Sequence, residues 1–170
     1  MSEPIRLILL DGSKGAGKTS VSNILVKHLQ ATVSLSIDTE RHVLLNQERS
    51  LTELNKEAFE VVVEKIASHL GKSLSVVVDC GLTQERVSRL ENLARGKNAK
   101  VYRFFLDAPY EMLLERVRAR DKSRGRQTDE KRFEEVFRII HAKDLKTFQV
   151  IETDILTSEQ ISDKIISTLF

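Results

Sequence analysis

The 170-residue chain has one cysteine, Cys80, so no disulfide can close within it, and a reducing cytoplasm is the default expectation. Its four histidines are scattered and show no zinc-ligand spacing. Any metal would then arrive with a nucleotide. No apolar run is long enough to cross a bilayer, and the opening MSEPIR lacks the apolar core of a secretory signal, so no membrane partner is expected. The formal charge of +2 is too small to argue by itself for nucleic-acid binding. Repeats, linkers and low-complexity segments are also missing. With 41% hydrophobic and 31% charged residues, the chain suits one domain, 1–170, with a real core.

Glycine is sparse too, at seven residues, yet three of them, Gly12, Gly15 and Gly17, crowd into DGSKGAGKTS. Glycine is costly to order, so the cluster needs a reason. From Gly12 to Thr19 the stretch fits G-x-x-x-x-G-K-[ST], a loop whose backbone N–H groups form a nest for phosphate oxygens. The nucleotide-binding set is then Gly12, Ser13, Lys14, Gly15, Ala16, Gly17, Lys18, Thr19 and Ser20. Lys18 would reach the β- and γ-phosphates of ATP, and the Thr19 hydroxyl would ligate Mg²⁺. A helix starting near Lys18 would add its positive dipole end. The context agrees: an apolar strand, 6–10, precedes the loop, and a helix, 19–30, follows with Val21, Ile24, Leu25 and Leu29 on one face. A ligand-free strand-to-helix turn would need glycines but not the Lys-Thr pair.

Further along, strand and helix patterns alternate. VSLSI (33–37) reads as a strand closing on Asp38, and a long helical region spans 39–70, broken near 46–50. Gly71 reads as a helix stop. SLSVVVD (73–79) reads as a buried strand, 83–95 as a helix ended by Gly96, and KVYRFFLD (100–107) as a β-rich segment. Pro109 opens a helix with Tyr110, Leu113, Leu114 and Val117 in a stripe. Another helix carries Phe133, Val136, Phe137 and Ile140, and a short strand at 149–152 precedes a last helix capped by Ser158. Five strands separated by helices predict an α/β three-layer fold: a parallel sheet with helices on both faces.

Ligands of such sheets sit beyond the carboxyl ends of the strands. Three strand patterns end there on aspartates: Asp38, Asp79 and Asp107. In DTER, Asp38 and Arg41 are three apart on an opening helical turn and can face the same way. Asp38 could accept the proton of an attacking hydroxyl while Arg41 clamps an anionic part of the acceptor. The plainer reading is a helix N-cap beside a surface arginine. Asp79 is open between holding Mg²⁺ and serving as a cap or turn residue before Gly81. Asp107, beside Ala108-Pro109, is expected only to cap the next helix, and Cys80 to pack.

A basic stretch holds Arg116, Arg118, Arg120, Lys122, Arg124, Arg126, Lys131 and Arg132. Residues 118–129 read as a polar, mobile lid closing over the nucleotide, with arginines that stabilise the transferring phosphoryl group. The alternative is an ordinary charged surface.

Taken in order, GSKGAGKT, IDTER, VVVDCGLTQERVSRL and FLDAPYEMLLERVRAR resemble the small P-loop kinase group that includes the polynucleotide kinase domains and kinases related to them. The likeness runs to about Asp144. It implies a P-loop NTPase fold, general-base catalysis by Asp38, acceptor binding by Arg41, and phosphate contacts from Arg120 and Arg124. Adenylylsulfate kinases also use an aspartate-x-x-arginine-histidine sequence, matched by Asp38 to His42, but carry a longer aromatic-bearing lid. Antibiotic phosphotransferases share the scaffold and need no arginine at position 41.

Two function classes follow. The first is an ATP-dependent kinase acting on a hydroxyl, with a polynucleotide 5′-end, a nucleotide, or a small sugar- or antibiotic-type molecule as acceptor. The second is a nucleotide-driven ATPase or switch module, which would want a base-recognition motif such as N-K-x-D. The chain has none.

Overall fold

The segment RLILLDG points its side chains alternately into two apolar environments. Leu7 and Leu9 join one cluster and Ile8 and Leu10 the other, all four fully buried. A strand buried on both faces belongs in the middle of a sheet covered by helices. In the computed structural model, which describes residues 4–45, 50–79 and 81–170, this segment is the central strand β1 (Arg6–Gly12) of a five-stranded sheet. It pairs with β3 (Ser75–Asp79) on one side and β4 (Lys100–Asp107) on the other. β2 (Thr32–Ser36) lies beyond β3 and β5 (Gln149–Glu152) beyond β4, every pairing parallel. Leu10 stands opposite Asp79 and Gly12 opposite Leu106, so the carboxyl ends of the three middle strands lie side by side.

The helices cover both faces, as expected from the alternating pattern. α3 (Leu51–Gly71) and α4 (Gln84–Gly96) pack on Leu7, Leu9, Val76 and Val78. α1 (Lys18–His28), α5 (Tyr110–Ser123) and α7 (Ser158–Leu169) pack on Ile8, Leu10, Val77 and Phe104. α6 (Glu130–His141) serves both sides, with Phe133 in one cluster and Ile140 in the other. α2 (Ile37–Leu44) leaves the end of β2 and lies against α3. Among the described residues no helix is long and apolar enough to cross a membrane.

Several boundaries differ from expectation for local reasons. The long helical region is divided between α2 and α3, and of the expected break at 46–50 all but Ser50 lies outside the described residues. Cys80 lies outside them as well. α3 starts through a capping box: the Ser50 hydroxyl accepts the Glu53 N–H, and the Glu53 carboxylate accepts the Ser50 N–H at 2.9 Å. The expected loop at 118–129 is shorter than its composition suggested. α5 continues to Ser123, because its last turn holds good helix formers and the cations Arg120 and Lys122 suit a helix carboxyl end. The chain turns only at Gly125, where φ is 65°.

The last helix is capped by Thr157 and not by Ser158. The Thr157 hydroxyl accepts the Gln160 N–H, and the Gln160 side chain returns to the Thr157 N–H. Thr157→Ala is expected to lower unfolding stability by about 1 kcal/mol. Ser158→Ala, by contrast, should stay within about 0.5 kcal/mol of wild type in the same denaturant titration. Equal losses would return the cap to Ser158.

Candidate active site

The loop after β1 is pressed against its neighbours so closely that side chains are excluded. A Cβ on Gly12, where φ is 135°, would fall 2.2 Å from the Leu106 carbonyl oxygen. One on Gly15, at φ 85°, would fall 2.7 Å from that of Leu113. Both positions therefore need glycine twice over, for backbone angle and for space. Gly17 then precedes α1 with no side-chain cap, leaving the first-turn N–H groups of that helix available to an anion. The Lys18 ammonium folds back onto its own loop and donates to the Gly12 and Ser13 carbonyls at 2.8 and 3.0 Å.

Above this loop lies a cavity of about 930 Å³. Lys14, Gly15, Gly17, Lys18, Thr19 and Ser20 line one wall. Gly12, Ser13 and Ala16, also expected at the nucleotide, are buried beneath it, and the Gly12 and Ser13 carbonyls meet Lys18. Asp79, at the end of β3, reaches the same cavity and accepts a 2.6 Å hydrogen bond from the Thr19 hydroxyl. Thr83, not Asp79, caps α4. Burial pushes the Asp79 carboxyl above its usual range and the nearby Asp38 charge adds to this, while Lys18 and the Thr19 hydrogen bond partly offset it. Hydroxyl and carboxylate together form a hard-oxygen pair of the kind Mg²⁺ uses beside phosphate and water. Among the described residues no trio of histidine, cysteine or acidic side chains gathers as a metal site.

The opposite wall comes from α2. Ser36 is the residue before that helix, so Asp38 sits within its first turn and is not its N-cap. Asp38, Thr39, Arg41 and His42 all line the cavity. Arg41 pairs with Asp38 at 3.0 Å and donates to the Asn55 side chain of α3 at 3.0 Å. A Lys65–Glu40 ion pair also ties α3 to α2. The α2 wall is thus braced from behind.

Arginines from α5, α6 and the turn between them line the cavity too. Arg116 donates to the Gly15 carbonyl at 3.3 Å and to the Thr153 carbonyl at 2.8 Å, so it braces the loop against the chain leaving β5. Arg120 and Arg124 line the cavity, and Arg126 and Arg132 join them. Four-residue spacing brings Arg116 and Arg120 to one side of α5, and Arg124 follows directly after its last residue. Arg126 and Arg132 depend on the turn at Gly125 and the course of α6, which no local pattern shows. Asp121 is a further residue that sequence reasoning passed over. Its carboxylate accepts from the Thr128 hydroxyl at 3.1 Å and lies 4.0 and 3.8 Å from the Arg120 and Arg126 guanidiniums. Asp107 does not cap α5, since Pro109 stands at the cap position. Its Oδ1 accepts the Ala108 N–H and lies 2.9 Å from His141 Nε2.

A family model described as an AAA domain matches residues 7–139. Among curated proteins, no sequence match was found. Solved structures resemble the chain at low identity. A gluconokinase from Sinorhizobium meliloti 1021 superposes with a TM-score of 0.71 at 17% identity, covering 99% of this chain and 93% of that one. A shikimate kinase from Aquifex aeolicus VF5 gives 0.68 at 17%, covering 96% and 95%. A chain of the Pnkp1/Rnl/Hen1 RNA repair complex gives 0.70 at 16%, covering 83% of this chain but 45% of that one. At these identities the shared property is the fold.

The raised carboxyl of Asp79 sets a pH signature. Ionising it in the folded chain is harder than in the unfolded chain, so the folding cost is present above the folded-state titration and absent below the ordinary carboxylate range. Asp79→Asn is therefore expected to raise the melting temperature of the nucleotide-free protein near pH 7. The gain should vanish as the pH falls below about 4. A gain that is constant with pH would show that the Asp79 charge is not its source.

Proposed function

The chain belongs to the AAA domain family and has the fold of the small P-loop kinases, and on that basis we propose that it is an ATP-dependent phosphotransferase moving the γ-phosphoryl group to a hydroxyl of a phosphate-bearing acceptor. A polynucleotide 5′-hydroxyl end or a nucleotide is the acceptor class. The observation that carries this is a shared cavity: the glycine loop with Lys18 lines one wall, and Asp38 with Arg41 lines the other. Asp38 is 66% exposed, open to a hydroxyl arriving from solvent. It would take the proton of that hydroxyl as the oxygen attacks the γ-phosphorus and the bond to the β-phosphate oxygen breaks.

Each remaining group has a matching task. The loop N–H groups and Lys18 bind the phosphates, with Lys18 leaving the Gly12 and Ser13 carbonyls to do so. Thr19 and Asp79 would hold Mg²⁺, which supplies charge neutralisation at the terminal phosphates. Arg120 and Arg124, on the segment 118–129 that we assign as a lid, stabilise the charge of the transferring group. The RNA repair complex among the structural neighbours supports a nucleic-acid end as acceptor.

One observation favours a second choice of acceptor. Arg41 already has two partners inside the protein, Asp38 and Asn55, so its presence does not require an anionic substrate. A neutral hydroxyl acceptor, such as a sugar, fits that arrangement, and the gluconokinase and shikimate kinase neighbours point the same way.

A screen of acceptors with γ-labelled ATP, including oligonucleotides with free 5′-hydroxyls, tests the proposal. Label transfer to any hydroxyl supports a kinase, whereas acceptor-independent release of phosphate alone would overturn it. Lys18→Ala is expected to abolish turnover and weaken ATP binding. Asp38→Asn should lower kcat by about 10²–10⁴-fold with ATP binding largely kept. Arg41→Ala should raise KM for a phosphorylated acceptor and shrink its salt dependence, but leave KM for a neutral acceptor nearly unchanged. Arg120→Ala and Arg124→Ala should lower kcat more than ATP affinity; unchanged kcat in both and in the double variant would remove the lid from the mechanism.

A further inference from the structure

The proposed chemistry leaves one carboxylate beside the phosphate loop unused. Asp11 is the last residue before Gly12 and has no exposed surface. Its Oδ1 accepts the Gly12 N–H at 2.7 Å and, more weakly, the Leu82 N–H at 3.4 Å. Its Oδ2 lies 2.6 Å from the Lys143 ammonium, whose side chain is 10% exposed. Three stretches of chain therefore meet on one carboxylate: the exit of β1, the turn after β3 and the segment leaving α6. The Gly12 carbonyl in turn accepts from Lys18. The residue whose N–H Asp11 holds is thus one that holds the loop lysine in the free protein.

Orientation of that peptide comes with an electrostatic liability. An anionic side chain buried beside a polyphosphate site repels the ligand, and low surrounding polarity strengthens the repulsion. Lys143 sits where it cancels that charge. Resting on the assignment of the loop to a nucleotide, we propose that Asp11 and Lys143 form a positioning pair: Asp11 fixes the Gly12 peptide, and Lys143 shields the phosphates from the Asp11 charge. The same contact anchors the chain leaving α6, whose other end brings Arg132 to the cavity.

A pair that only held the fold together would act alike from either side, since removing either partner leaves the other buried and uncompensated. Shielding gives opposite signs. Lys143→Met leaves a bare carboxylate under the phosphates. Asp11→Asn keeps an amide oxygen for the Gly12 N–H and leaves a cation, which suits an anionic ligand.

The test is calorimetric titration of the full chain with Mg²⁺ and a non-hydrolysable ATP analogue, run beside thermal unfolding of each variant. Lys143→Met is expected to weaken binding by at least about tenfold, while Asp11→Asn binds as tightly as wild type or tighter. The double variant D11N/K143M, with neither charge, should return to within about threefold of wild type. Wild-type affinity in Lys143→Met, or a matching loss in Asp11→Asn, overturns the shielding role. If Lys143→Met does not fold, the other two variants decide: tight binding by both supports the pair, and weak binding by Asp11→Asn overturns it. A wild-type chain that binds no nucleotide overturns the loop assignment itself, and the pair with it.

Discussion

Two missing side chains hold the site together. Gly12 lies against the Leu106 carbonyl and Gly15 against that of Leu113, at separations that admit no Cβ. These approaches seat the loop directly on β4 and α5. With the loop seated there, α1 starts at Lys18 beneath the cavity, and Arg116 can reach the Gly15 carbonyl from α5. The doubly buried strand β1 makes this possible, because it delivers Gly12 level with Leu106 on β4. The position of the loop and the start of α1 therefore follow from one geometric condition.

Most polar groups at the cavity already have partners in the free protein. Lys18 lies on loop carbonyls, Thr19 on Asp79, Arg41 on Asp38 and Asn55, and Arg116 on Gly15 and Thr153. A nucleotide entering the cavity would exchange some of these contacts for its own, so its affinity is a difference between two bonded states. Charge sets the sign of that exchange. Cations from the loop, α2, α5 and α6 outnumber the carboxylates of Asp38, Asp79, Asp121 and Asp129 along the same walls. One of those carboxylates, Asp79, is itself difficult to ionise where it sits.

Neighbours at 16–17% identity share the architecture. The other wall is built by α2, which is braced on α3 through Asn55 and Lys65. Activities diverge on a common fold where such surface groups change.

Local chemistry sufficed for much of this protein. The apolar run of β1, the glycine loop, the helix stop at Gly71 and the strands Lys100–Asp107 and Gln149–Glu152 were all legible, since each depends on residues adjacent in the chain. Strand-terminal aspartates near a phosphate loop also pointed to the cavity where Asp38 and Asp79 are found. Competing local signals were harder to separate. Thr157 and Ser158 offer equivalent hydroxyls, and only hydrogen-bond geometry shows which one caps α7. Charge density in 118–123 resembled a loop although its helix propensity was good. What the tertiary structure alone decided is long-range pairing. Asp11 with Lys143, Asp107 with His141, Arg116 with Thr153 and Arg41 with Asn55 each join different elements. An ion pair or hydrogen bond acts over a few ångströms of space, and sequence separation carries no trace of that distance until the sheet order has brought the strand ends together.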